Sequence, residues 1–289
     1  MIGTVRKTRK ENMSAIEAHV RIGAVKYLNA TPLIEDLEWL LPDAEVILDV
    51  PSRLADRLAA NRLDVALIPT IEFFRSGNYT LLPDLAIASR GPVLSVTLFS
   101  RVPWPAIRRI AIDEGSRTSA ALTQILLQKR YGVRPELIPL PLEGTAGDIG
   151  ADAVLLIGDR AMRACLPSFD YAFDLGEEWQ HWTGLPFVYA VWAVRPGMDQ
   201  GLVGEALTEG KRRGLRRLGV IAEREAPGRG LDAGFCRRYL THALHYGLGT
   251  REQAGMKRFG ALATELGLVR RSAGLALHRD PALHEAARV

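Results

Sequence analysis

The feature that most limits the fold of this chain is an alternation of two periodicities. Short, β-rich runs fall at 20–25, 45–50, 64–68, 94–99, 109–112, 136–140, 153–157 and 187–194. Helical spacing fills the gaps between several of them. Leu54 and Leu58 recur at i, i+4 in SRLADRLAANR, and Leu122, Ile125 and Leu126 at i, i+3, i+4 in SAALTQILLQKRYG. Strands that alternate with helices predict a parallel sheet of the α/β class. Ser52 after Pro51 reads as an N-cap, and Gly132 with Pro135 beyond it as a helix stop. Past about residue 200 the strand signals end, and 205–225, 235–248 and 251–268 read as helices.

The order of elements repeats although the residues do not. One unit runs from strand RIGAV through the polar loop KYLNATP to strands EVILDV and DVALIP. The other runs from strand RRIAID through EGSRTS to ELIPLP and DAVLLIG. Two similar α/β lobes would bind a ligand at the carboxyl ends of their strands, in the cleft between them. The expected division is a basic tail at 1–19, a first lobe of 20–105 plus 190–289, and a second of 106–189. The chain would cross over through 94–99 and Pro103-Trp104-Pro105, return near 187–194, and lay its C-terminal helices mainly on the first lobe.

Both polar loops are then expected at the cleft, each leading into a helix N-terminus, where unpaired N–H groups and the positive dipole end favour anions. Thr31 can cap, Pro32 suits the first helical position, and Asn29 is free to offer its amide. Ser116, Thr118 and Ser119 supply three hydroxyls where one would cap a helix, and Arg117 adds a charge. Two such termini suit a small ligand with two acidic groups; two well-capped helices with no ligand are the plainer alternative. Asp113 and Asp159 each close a strand, so each is a candidate general acid or base or a loop cap. His181 in QHWTGLPF is the histidine nearest an expected cleft loop.

Other chemistries find little support. His242 and His245 stand at i, i+3 without further ligands for a metal. GRGLDAG (228–234) misses the dinucleotide spacing and follows no strand, and neither a P-loop nor a GxSxG elbow is present. Cys165 and Cys236 are far apart and outside any CxxC, which argues for packing roles and a reducing compartment. The net charge of +4 and pI near 9.2 look basic. However, Arg6, Lys7, Arg9 and Lys10 belong to the tail, where Met13 is a second candidate start. Lys211, Arg212, Arg213, Arg216 and Arg217 have no interleaved aromatics, so they read as a solvated helix face and not as a nucleic-acid patch. No apolar run nears the roughly 20 residues of a membrane span, and the basic N-terminus lacks a signal-peptide core. A cytoplasmic protein is expected, with its oligomeric state open.

Several stretches together resemble one family: VRIGAVKYLNATPL (20–33), PSRLADRLAANRLDVALIP (51–69), GPVLSVTLFS (91–100), AIDEGSRTSAALTQILL (111–127), ADAVLLIGDRA (151–161) and EEWQHWTGLPFVYAVWAV (177–194). In their order and spacing they are similar to the chorismate dehydratases of the futalosine route to menaquinone, over about residues 20–195. The resemblance implies an α/β, two-lobe type II periplasmic-binding-protein-like fold with a central ligand cleft and a helical C-terminal region. It implies chorismate, a dicarboxylate, as substrate, loss of water to give 3-[(1-carboxyvinyl)oxy]benzoate, and no cofactor or metal. It assigns Asn29 as the catalytic residue and Tyr27, Ser95, Ser116, Thr118, Ser119, Asp159 and Gly184 as substrate-binding residues. The loop Val25-Lys26-Tyr27-Leu28-Asn29 favours the dehydratase over the related 1,4-dihydroxy-6-naphthoate synthase of the same route. A solute-binding protein for a small dicarboxylate and the sensing domain of a regulator are the non-catalytic alternatives.

Overall fold

Arg21–Val25 (β1) is apolar enough to be buried on both faces, and parallel strands form on either side of it: Glu45–Asp49 (β2) and Val65–Pro69 (β3). The computed structural model describes residues 19–270 except 142, 143, 145, 146 and 148; apart from His19, the expected tail lies outside them. Phe187–Val194 (β10) runs antiparallel between β3 and Thr80–Ser89 (β4), giving the order β2-β1-β3-β10-β4. A second sheet repeats this plan with Val96–Ser100 (β5), Arg109–Asp113 (β6), Glu136–Leu140 (β7), Ala153–Ile157 (β8) and Tyr171–Asp174 (β9), in the order β7-β6-β8-β5-β9. In each sheet three parallel strands are completed by a strand that the chain supplies just after a crossing between lobes: β5 after the first, β10 after the second.

Every residue of β3 and of β10 is buried, as expected for central strands covered on both faces. Pro51–Ala59 (α2, after the short α1 at Leu37–Leu40) turns Leu54, Ala55 and Leu58 inward. Pro51 occupies its first turn and Val50 its N-cap, so Ser52 lies inside the helix and does not cap it. The division between lobes is corrected at two places. Val96–Ser100 bonds to β8 and β9 of the second sheet, so the chain crosses at 90–95 and not at 103–105. Trp104 instead lies inside the second lobe, stacked between Tyr131 and Phe173 at centroid distances of 5.0 and 4.6 Å. All of Phe187–Val194 belongs to the first sheet, because its apolar faces fill the place between β3 and β4.

The remaining helices are Thr70–Ser76 (α3), Arg117–Ile125 (α4), Gly158–Met162 (α5), Leu175–Thr183 (α6), Gly201–Arg216 (α7), Leu218–Arg229 (α8), Ala233–Arg238 (α9) and Thr250–Glu265 (α10). α10 lies against β10 and α3, with Phe259 among Phe74, Trp179 and Phe187. The basic run on α7 is paired: Lys211 with Asp84, Arg212 with Glu209, Arg213 and Arg217 with Asp36. Lys211, Arg213 and Arg217 fasten the helical region to the first lobe, where the sequence pattern reads as a solvated face, while the Arg212–Glu209 pair stays within α7. No helix among the described residues is long and apolar enough to cross a membrane.

Candidate functional site

The carboxyl ends of β1, β3 and β8, at Val25, Pro69 and Ile157, and the turn after β6 line one narrow cavity. Both polar loops reach it. The first differs from its expected form. Leu28–Leu33 is a 3-10 helix with Pro32 inside it, and Thr31 caps nothing. Asn29 is therefore held by the helix itself. Its Oδ1 is buried and has no hydrogen-bond partner among the described residues.

The second loop forms the N-terminus of α4 with Ser116 at the N-cap, as its sequence suggests. Its hydroxyl makes no capping bond, though; Oγ is buried without a partner, while the Ser116 carbonyl accepts the first helical N–H, from Ala120, at 2.9 Å. A cap hydroxyl that does not cap, in a cavity, beside the unpaired first N–H groups of a helix, leaves a donor-rich pocket for an anion. Thr118 Oγ1 accepts the Ile71 N–H at 3.2 Å from the facing lobe. This uses an acceptor position of the hydroxyl and leaves its proton for another partner.

Of the residues singled out from sequence, Tyr27, Asn29, Ser95, Ser116, Thr118 and Ser119 line this cavity together. Two others do not. Asp159 is a tether between lobes: Oδ1 accepts the Leu28 N–H at 3.1 Å, and Oδ2 pairs with Arg229 at 2.5 Å. Gly184 closes α6 at φ +69 and gives its carbonyl to Arg251, a left-handed position that suits glycine. Asp113 takes its loop-capping reading: Oδ1 accepts the Gly115 N–H at 2.9 Å, and Oδ2 pairs with Arg160 at 3.1 Å. Burial pushes the Asp113 carboxyl up despite those two partners. His181 is exposed on α6. His242 is also exposed, and His245 lies past the helix, beside Arg90 and Glu252. No cluster of three or more potential metal ligands occurs among the described residues.

Electrostatically the cavity is uneven. Among the described residues that line it, none is a carboxylate, and Arg117 is the one cation. Arg117 is committed to a two-pronged pair with Asp56 of α2, at 2.9 and 2.8 Å across the lobe interface. Tyr27 lies flat against Gly158, whose backbone (φ +58) leaves so little room that a β-carbon would come within 2.9 Å of the ring. Burial, reinforced by Asp113 and Asp159, pushes the Tyr27 hydroxyl up. Tyr189 of β10, also in the lining, is raised as well, chiefly by burial, and shares a hydrogen bond with Ser89. Both phenols stay neutral near pH 7.

Sequence reasoning missed Tyr189, Gly158 and the residue behind Ser95. Ser95 Oγ accepts a 2.8 Å bond from the hydroxyl of Tyr239 in the C-terminal region. The spacing around Tyr239 reads as a helix and gives no hint of a neighbour some 140 positions away.

Two α/β lobes of matching topology around a polar cleft define a protein of the periplasmic-binding-protein-like class. Solved structures of that shape include protein AF1704 from Archaeoglobus fulgidus, with TM-score 0.70 and 17% identity over 88% of this chain and 100% of that one. Another is the periplasmic aliphatic sulphonate binding protein SsuA from Escherichia coli, with TM-score 0.58 and 16% identity over 89% and 90%. At these identities they establish the fold alone. Within that class the chain belongs to the menaquinone biosynthesis family, whose model matches residues 20–265. A chorismate dehydratase of Thermus thermophilus is 34% identical over 266 residues, covering 86% of this chain and 95% of the relative. One of Campylobacter jejuni is 28% identical over 82% and 94%.

Proposed function

We propose that this chain is an enzyme that eliminates water from chorismate, a carbon–oxygen lyase giving 3-[(1-carboxyvinyl)oxy]benzoate. The observation that carries the reading is the pair Asn29 Oδ1 and Ser116 Oγ: both buried, both without a partner among the described residues, on opposite lobes and lining one cavity with no carboxylate among its described lining residues. Ser116 and the free N–H groups that open α4 favour an anionic group, the Asn29 carbonyl calls for a donor such as a hydroxyl, and the family and its dehydratase relatives supply a substrate with both.

The chemistry asks the protein for placement more than for a strong base. The C3–H bond breaks, and its electron pair becomes the new ring double bond as the C4–O bond breaks. The departing hydroxide and the proton make water, and the ring becomes aromatic. The ring carboxylate, conjugated through the diene, acidifies the C3 proton. Among the described residues, no carboxylate, histidine or lysine lines the cavity that holds Asn29 and Ser116, and its two phenols are held neutral. This supports the enolpyruvyl carboxylate of the substrate itself as the proton acceptor. Ser95, Ser116, Thr118 and Ser119 then hold carboxylates, together with the N–H groups that open α4. Asn29 orients the ring, its carbonyl accepting from the C4 hydroxyl and its amide group donating. We place the enzyme in the cytoplasm, a reading supported by Cys165 and Cys236, which stay unpaired.

The test is incubation of the purified protein with chorismate. Loss of the diene absorbance, with a product one water lighter by mass spectrometry, is expected. Binding without loss of the diene would leave a solute-binding protein and overturn the proposal.

A further inference from the structure

Tyr239 opens a single π turn, Tyr239–Ala243, that continues α9 and ends its helical run. Such turns often mark functional positions. Its side chain is fully buried, its ring parallel to that of Phe235. The hydroxyl therefore has one fixed address, and that address is Ser95 Oγ at 2.8 Å. Ser95 is itself buried, ends the first crossing and lines the cavity. A serine hydroxyl has one proton and two lone pairs. With Tyr239 donating into a lone pair, the Ser95 proton is left for the cleft. Thr118, fed by the Ile71 N–H, shows the same arrangement on the other lobe.

We propose that Tyr239 is a positioning residue for the reaction: it holds Ser95 as a hydrogen-bond donor toward one carboxylate of the substrate and so couples the C-terminal helices to the cleft. This deepens the chorismate dehydratase reading and rests on it. Burial, the largest influence, raises the Tyr239 hydroxyl far above physiological pH, so it remains a donor throughout the working range.

The test is a double-mutant cycle with Tyr239→Phe and Ser95→Ala, read in chorismate turnover. A carboxylate is present in both ground and transition states, so Tyr239→Phe should raise KM about tenfold and leave kcat within about twofold. In the Ser95→Ala background it should add less than about twofold. Additive losses, unchanged kinetics of Tyr239→Phe, or a fall in kcat at constant KM would overturn the proposal. A second measurement stands apart from the substrate assignment and from folding of the phenylalanine variant. In protein labelled with [13Cζ]tyrosine, the Tyr239 resonance should move on Ser95→Ala, and a resonance that stays put would break the link. Failure of the wild-type protein to consume chorismate, with the resonance shifting as expected, would remove the substrate and leave the Tyr239–Ser95 pair standing.

Discussion

Asp174 ends β9, where the chain leaves the second sheet to cross back; its carboxylate accepts the N–H of Val93 in the first crossing at 3.0 and 2.9 Å, and so binds the two crossings between the lobes to each other. The same group accepts the Leu94 N–H at 2.6 Å and caps α6 through Gly176 and Glu177. Leu94 sits at φ +62, a left-handed conformation that costs a leucine energy. Asp174 holds it there, one residue before Ser95. Close packing at Gly176, where a β-carbon would come within 2.5 Å of the Gly91 carbonyl, draws the crossings together at the same level.

Asp174→Asn should therefore weaken the clasp while keeping a helix cap, since asparagine also caps. A loss of about 2 kcal/mol is expected, a fall in Tm of roughly 4–8 °C for a domain of this size. Calorimetry checks it; an unchanged Tm would mean that the crossings are held by packing alone.

Asn29→Ala should leave folding intact and reduce kcat/KM for chorismate by roughly 100-fold or more, the cost of losing one preorganised polar group at a transition state. Turnover at the wild-type rate would remove Asn29 from the mechanism.

Ser116→Ala separates a cap from a ligand donor. Loss of a working N-cap costs typically about 1 kcal/mol, but Ser116 makes no capping bond. The variant should melt within about 1 °C of wild type and bind product about tenfold more weakly. Melting well below wild type with normal product affinity would make Ser116 an ordinary cap.

Asp64 governs an acid-dependent part of the stability. Burial opposes its charge, but hydrogen bonds from Arg21 and Arg195 overcome this and hold the carboxyl well below its usual range. Its folded-state pKa is thus lower than its unfolded value of about 3.9, so its contribution is complete above that value and is lost as pH falls through the folded one. The Tm deficit of Asp64→Asn should be largest near pH 7 and shrink below about pH 4. A deficit independent of pH would assign the loss to shape and not to charge.

Much of this architecture is written in local pattern. All eight β-rich runs form strands because their residues are apolar and bounded by turns, and α2 places Leu54 and Leu58 as their spacing requires. The two strands that escaped have clear causes. In β4, Pro83 and Asp84 break the apolar run. Asp84 sits at φ +55, and the partner of Leu81 is Ala193 while that of Ala86 is Val191, so residues 82–85 bulge opposite Trp192. β9 is four residues at a sheet edge. At the site, Ser116, Thr118 and Ser119 were legible because their excess of hydroxyls is a local signal. Thr31-Pro32 misled because the motif that starts an α-helix also fits within a 3-10 helix. Tyr189 and Tyr239 were illegible because only the folded chain brings them beside Ser89 and Ser95.

The central claim is that a dicarboxylate is gripped between the lobes by Asn29 and Ser95 on one side and the start of α4 on the other. A crystal structure with 3-[(1-carboxyvinyl)oxy]benzoate bound tests it most directly. One carboxylate should lie within hydrogen-bond distance of Ser116 and the first N–H groups of α4, and the other near Ser95, with Asn29 on the ring. Product seated instead in the neighbouring arginine-lined hollow beside Arg163 and Arg229, touching neither Asn29 nor Ser116, would contradict the account.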